Sequence, residues 1–190
     1  DIDSGAVLYG KQIDEKRYPA SITKLLTVLV ALENANLTDK ITFTDECLNF
    51  LEWDDANIGM RVGEEITLEE ALYGVLLASA NEVSYAVAKN VGENLGIGYD
   101  GFIELMNERA QELGCKNSHW VNANGLHDEN HYTTPYDIYL MLKEALNYPE
   151  FTDITQMSSY TVTYKHSDGS DASTTLTATD HYLTGEATTP

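Results

Sequence analysis

The sequence predicts an α+β fold in which one antiparallel sheet, drawn from both chain ends, packs against a helical region. Three observations carry this expectation: strand-like stretches near both termini, helical periodicities between them, and no internal repeat at any period. A chain of 190 residues with 43% apolar content and four prolines is large and apolar enough for a well-buried core, which sets aside disorder and low complexity.

The turn residues Asp3, Ser4 and Gly5 precede Ala6 to Gly10, a short apolar run that suits the second strand of a hairpin. Pro19 leads into a helix over about residues 20–35, and Asn34 to Asp39 ends it. A polar strand-like stretch begins at Ile41, and "EWDDANIGMRVGEEIT" reads as loop, with Gly59 and Gly63 as turn points. Thr67, followed by Glu69 and Glu70, is a helix start whose apolar run continues to Ala78. A second helix start at Asn81 puts Val83, Ala86, Val87 and Val91 on one face and stops at Gly92. "GFIELMNERAQELG" gives an amphipathic helix with Phe102, Leu105, Met106 and Ala110 inward, closed by Gly114. The long loop "NANGLHDENHYTTP" leads to a helix over roughly Pro135 to Asn147. Beyond Pro149, Thr, Val and Tyr alternate on either side of "SDGSD", the pattern of a hairpin.

Eleven basic against thirty-one acidic residues leave a net charge of −20, which repels polyanions, and no Lys/Arg cluster forms a phosphate footprint. Nucleic acid is therefore not an expected partner, and the charge reads as a solubility surface. No apolar run approaches the ~18 residues of a membrane span. Cys47 and Cys115 lie far apart without C-x-x-C spacing, which leaves two buried thiols or one disulfide open. The chain opens on "DIDSGAVLYGK" and closes on "GEATTP" with no terminating element, so it is expected to be a piece of a longer gene product.

The chemistry concentrates in "YPASITKLLTVLVALE", apolar on nearly every face yet carrying Ser21 and, three residues on, Lys24. At that spacing the two side chains share a helix face, about 5–6 Å apart at Cβ. Burial and the positive end of the helix dipole both disfavour an ammonium there, which drives Lys24 toward a usable base. A neutral Lys24 could take the proton of Ser21, otherwise a weak nucleophile. S-x-x-K alone equally fits a serine cap and a snorkelling lysine. A second motif, "ASANEV", sets Ser79 and Asn81 at a helix-to-helix junction, where Ser79 could relay a proton and Asn81 bind a substrate amide. Read singly, either is an ordinary helix cap.

The two motifs in this order resemble the penicillin-recognising serine enzymes, whose set is S-x-x-K, S-x-N and K-T-G. Within them, "DSGAVLYGK", "YPASITKLLT", "LLASANEVSYAVA", "MNERAQELG" and "NANGLHDENHYTTPYDI" resemble the D-alanyl-D-alanine carboxypeptidases, the low-molecular-mass penicillin-binding proteins. The likeness spans nearly all of the chain. It implies a β-lactamase/transpeptidase-like fold with an all-helical lobe, here roughly residues 38–148 of a single catalytic domain, and a cleft between lobe and sheet. It also implies an acylated nucleophile at Ser21, its base at Lys24, and a second wall of the site at Ser79 and Asn81. The implied substrate is the peptidoglycan stem peptide ending in D-Ala-D-Ala, with β-lactams as acylating inhibitors and neither a metal nor an organic cofactor. The family's role in cell-wall synthesis and cell shape implies a location outside the cytoplasmic membrane, with any anchoring through a segment outside this chain.

The third motif is incomplete. "YLTGE" has Leu183 where the lysine belongs, so either Leu183-Thr184-Gly185 is a degenerate motif or the working one lies beyond Pro190; the second is expected. A leucine cannot pair the substrate's carboxylate. The residues given are accordingly expected to lack the last strands and helix and not to complete the site alone. If Leu183 does replace the lysine, the reading becomes a catalytically dead wall-binding homologue; rapid deacylation would instead mark a β-lactamase. In "HDENH", the residues His127, Asp128, Glu129 and His131 imitate a metal cluster but read better as a solvated loop, with Glu129 a lesser candidate for activating a deacylating water.

Overall fold

In a computed structural model the described residues are 1–185 and 187. A 3-10 turn, Ala20–Ile22, runs into helix α1, Thr23–Asn34. There follow β1 (Lys40–Thr42), α2 (Asp45–Leu48), β2 (Glu65–Thr67), α3 (Leu68–Leu76), α4 (Asn81–Asn94), α5 (Gly98–Glu112), α6 (Pro135–Ala145), α7 (Pro149–Thr155), β3 (Ser159–Lys165) and β4 (Asp171–Thr177). The four strands form one antiparallel sheet in the order β1-β2-β3-β4.

Helix α1 is the centre of the molecule. Leu26, Val28, Leu29, Val30 and Ala31 are completely buried, as a helix apolar on every face must be, and α3, α4, α5 and α6 surround it. A fork ties this bundle together at its rim: Arg109 of α5 donates to both oxygens of Glu33 at 2.8–3.0 Å and to Glu144 of α6 at 3.1 Å. The rigid placement of the first turn of α1 follows from this packing.

Local sequence rules explain the helix starts. Thr67 and Glu70 form a full capping box at α3: the Glu70 N–H donates to Thr67 Oγ1 and the Thr67 N–H to Glu70 Oε2. Pro135 occupies the first turn of α6, where Thr134 accepts from the Asp137 N–H. The hairpin β3–β4 pairs from Ser159↔Thr177 to Lys165↔Asp171 around Gly169 at φ +85°. Tyr160 on β3 stacks on Tyr73 of α3 with ring centroids 3.6 Å apart, which seats the hairpin on the helices.

The sheet differs from expectation at one end. Ala6 to Gly10 forms no strand among the described residues, and Val7, Leu8 and Tyr9 are 57%, 82% and 82% exposed. A strand exists only through a hydrogen-bonded neighbour, and the backbone here shows local bonds instead: the Gly5 N–H to the Asp1 carbonyl, the Asp1 ammonium to the Ala6 carbonyl and the Ala6 N–H to Ser4 Oγ. The sheet therefore draws on residues 40–42 and 65–67 and the hairpin near the C-terminus rather than on both chain ends. Helices α2 and α7 are short additions that periodicity did not reveal. Among the described residues no helix is long and apolar enough to cross a membrane. Cys47 and Cys115 are both free and buried, which selects the thiol reading over the disulfide.

Candidate active site

The approach to α1 is bent. Ala20 has φ +49°, a left-handed conformation costing an ordinary residue roughly 1–2 kcal/mol. Immediately after this bend Ser21 is exposed, while Lys24, one turn on, is 3% exposed beneath it. A hydroxyl at the surface thus stands over a buried amine.

Lys24 Nζ has three partners. It donates to Asn81 Oδ1 at 2.8 Å, to the Asn124 backbone carbonyl at 2.7 Å and to Ser21 Oγ at 3.2 Å. An ammonium has three protons for these three acceptors. After losing one, the amine keeps two N–H bonds for the two closer acceptors and turns its lone pair toward the Ser21 hydroxyl, the geometry proton abstraction requires. Burial pulls the Lys24 pKa down from 10.5 to about 8, against the opposing carboxylates of Glu82 and Asp55.

Asn81 is the first residue of α4, and the cap position before it is Ala80, which offers no side-chain bond. The capping explanation of Asn81 therefore fails. Its amide instead lies between Lys24 and the loop ahead of β2, with Nδ2 donating to Asp55 Oδ1 at 3.4 Å and its backbone N–H to the Ala56 carbonyl at 2.8 Å. Ser79 occupies the α3–α4 junction at φ +55°, half-buried, and its hydroxyl makes no hydrogen bond among the described residues. Ser21, Lys24 and Asn81 are brought together; Ser79, two residues before Asn81, is joined to none of them by a hydrogen bond among the described residues.

Sequence reasoning weighed the loop from Asn122 to His131 for His127, Asp128, Glu129 and His131 and missed the wall that its Asn122–Gly125 end forms. Its contribution is backbone, which side-chain motifs do not signal. Asn122 Oδ1 accepts from the Gly125 N–H at 2.7 Å, and the Ala123 carbonyl accepts from Thr27 Oγ1 at 2.7 Å. Gly125, at φ +89°, runs so close that a Cβ there would lie 1.9 Å from the Ala20 carbonyl oxygen. The sequence shows a long loop here; only the fold shows that Gly125 presses on the backbone of Ala20 and Ser21.

His131 pins the far end of this loop. The Val121 N–H donates to Nδ1 at 3.1 Å, so the ring proton sits on Nε2, which is 2.7 Å from Thr23 Oγ1. Burial lowers its pKa to about 4, more than Asp128 opposes. His127 packs edge-on against Tyr18, Asp128 Oδ1 accepts from the Asn130 N–H, and Glu129 lines a surface cavity of about 400 Å³ with Lys16, Arg17, Tyr18 and Tyr132. These groups do not converge, and no cluster of three His, Cys, Asp or Glu suited to a metal occurs among the described residues.

Leu183-Thr184-Gly185 lies in a turn, where the Thr184 N–H donates to the Asp180 carbonyl. It supplies neither a cation nor a sheet strand.

The sequence pattern of the D-alanyl-D-alanine carboxypeptidase family matches residues 1–188. Relatives include the D-alanyl-D-alanine carboxypeptidase DacF of Bacillus subtilis, 35% identical over 158 residues that cover 80% of this chain and 39% of that protein. Another, the D-alanyl-D-alanine carboxypeptidase DacA of Haemophilus influenzae, is 29% identical over 146 residues, covering 74% of this chain and 36% of that protein. The chain thus spans less than half the length of these two relatives. In three dimensions it is similar to the crystal structure of the Streptomyces K15 DD-transpeptidase, with a TM-score of 0.89 and 27% identity over 98% of this chain and 73% of that one.

Proposed function

This chain belongs to the D-alanyl-D-alanine carboxypeptidase family, and on that premise we propose that the whole protein is a serine DD-carboxypeptidase acting on peptidoglycan stem peptides. The observation that carries the reading is the buried Lys24 amine, 3.2 Å from Ser21 Oγ, with its other two bonds fixed by Asn81 and Asn124.

In this scheme neutral Lys24 takes the Ser21 proton as Oγ attacks the carbonyl of the penultimate D-alanine. The tetrahedral oxyanion collapses, the peptide bond breaks, and the departing amine of the terminal D-alanine takes the proton from Lys24. Water then cleaves the ester on Ser21. Asn81 Nδ2, only loosely held by Asp55, is free to meet a substrate carbonyl, and Ser79 forms part of the same wall. The residues need no metal or organic cofactor for these steps. β-Lactams acylate the same oxygen. The cation for the substrate's carboxylate comes from a K-T-G segment outside these residues, in one catalytic domain whose lobe, roughly residues 38–148, is mainly helical and also supplies β1 and β2 to the sheet. The site of action is outside the cytoplasmic membrane, where the polymer lies, with any membrane attachment through a segment outside these residues.

The test is labelling of the full-length protein by a fluorescent penicillin, alongside D-alanine release from a stem peptide. Labelling and release in wild type, both lost in Ser21→Ala, support the reading; labelling that survives in Ser21→Ala removes the nucleophile from its role. Binding of stem peptide without release would select a wall-binding homologue, and rapid turnover of the penicillin a β-lactamase.

A further inference from the structure

The loop that carries Asp55 is held by a carboxyl group that the acyl-transfer scheme leaves unused. Glu82 follows Asn81 in the first turn of α4 and is completely buried. Its Oε1 accepts from the Ile58 backbone N–H at 2.6 Å, and its equally buried Oε2 has no side-chain or well-aligned backbone donor among the described residues. Burial raises the pKa of the carboxyl against the nearby amides of Ile58, Glu82, Val83 and Gly59. A completely buried carboxyl is costly, and an apolar side chain of similar volume would fill the space without that cost. Packing alone therefore does not account for it.

Two connections run from Glu82 to the base. The first is mechanical. With Ile58 held, the neighbouring Ala56 carbonyl accepts the Asn81 N–H and Asp55 Oδ1 accepts from Asn81 Nδ2, so the amide keeps Oδ1 turned toward Lys24. The second is electrostatic. The charged groups that act on Lys24 are Glu82 from α4 and Asp55 from the loop, and both favour the ammonium that burial disfavours. From the 3-10 turn ahead of its helix and from the 122–131 loop, the polar partners of Lys24 among the described residues are the neutral Ser21 hydroxyl and Asn124 carbonyl.

We propose that Glu82 is a positioning residue for acyl transfer: its buried carboxyl clamps the loop of residues 55–59 onto α4 and thereby holds Asn81 Oδ1 against Lys24. The inference rests on the assignment of Ser21 and Lys24 as nucleophile and base. Glu82→Gln keeps an oxygen for Ile58 and removes the charge; Glu82→Asp keeps the charge and withdraws the carboxyl from Ile58 by one methylene.

The experiment is the rate of acylation of the full-length protein by a fluorescent penicillin over about pH 6–10, with folding checked by circular dichroism. In wild type the rate climbs as Lys24 loses its proton near pH 8. In Glu82→Gln the climb moves to lower pH by roughly half a unit or more, since an anion that favoured the ammonium is gone. In Glu82→Asp the climb stays in place while the plateau falls about tenfold or more, the loss expected of a displaced positioning group. A merely structural role would lower the plateau of Glu82→Gln without moving its climb, and that result overturns the electrostatic connection; an undiminished plateau in Glu82→Asp overturns the clamp. Should Glu82→Gln not fold, Glu82→Asp decides alone by its plateau. Wild type that is not labelled at any pH refutes instead the assignment of Ser21 and Lys24, a result separate from either variant's.

Discussion

Replacing Gly125 with alanine asks whether the 122–131 loop is built onto the nucleophile or merely lies beside it. The new methyl would stand 1.9 Å from the Ala20 carbonyl oxygen, 2.4 Å from its carbon and 3.0 Å from the Ser21 nitrogen. All three are backbone atoms and cannot rotate aside. Because real contacts of this kind stay beyond 3.0 Å, the two segments must part by about 1.1 Å. If the loop carries the movement, the Asn124 carbonyl withdraws from its 2.7 Å contact with Lys24 to about 4 Å, outside hydrogen-bond range. A misplacement of about 1 Å costs on the order of 10²-fold in rate, which is the expected fall in acylation. The left-handed backbone adds roughly 1–2 kcal/mol and the lost Lys24 bond about 1–2 kcal/mol, so stability falls by about 3 kcal/mol. Stopped-flow acylation by a fluorescent penicillin and urea unfolding of the full-length protein measure both. A Gly125→Ala protein with an unchanged midpoint and a rate within about threefold of wild type would refute the close approach that this reasoning starts from.

Lys24 also predicts a stability profile. Its pKa is about 8 in the fold against 10.5 for the free side chain, so between those values only the unfolded chain binds the proton and stability rises with pH, by up to about 3 kcal/mol. The unfolding free energy of wild type relative to Lys24→Met should climb across that window; a flat difference contradicts a desolvated amine. His131 acts at the acid end, because a folded pKa of about 4 against 6.5 means stability is lost as pH falls through that interval, by up to about 3 kcal/mol. His131→Gln should show a shallower acid loss by thermal unfolding, and an identical loss contradicts the buried neutral ring. Both cysteines should resist a disulfide-exchange thiol reagent in the native protein and react only on unfolding, since both thiols are buried and burial pushes Cys115 up to about 12. Rapid native reaction would contradict their burial.

What was legible in the sequence is what local physics determines. The pattern over about residues 20–35, apolar on nearly every face, marked a central helix, the Thr67–Glu70 pair the start of α3, and the Thr/Val/Tyr alternation the hairpin β3–β4. Ser21, Lys24 and Asn81 were legible because their chemistry lies in side chains at characteristic spacings. The Ala6–Gly10 strand was not, since an apolar run becomes a strand only when a neighbour supplies a ladder. Asn124 and Gly125 were hidden because a carbonyl and a missing Cβ have no side-chain signature. Glu82 stood in view inside "ASANEV", but an acidic residue in a first helical turn normally reads as dipole compensation. Only the 2.6 Å bond to Ile58 and the burial of its other oxygen distinguish it.

The central claim is that the oxygen above the buried amine is the one that becomes acylated. Trypsin cleaves after Arg17 and Lys24, so the full-length protein, treated with penicillin and digested, yields the peptide Tyr18–Lys24, whose hydroxyl side chains are Tyr18, Ser21 and Thr23. Fragmentation mass spectrometry of that peptide should find the penicilloyl mass on Ser21. An adduct on Ser79, on Thr23 or on any other residue, with Ser21 unmodified, would contradict the account.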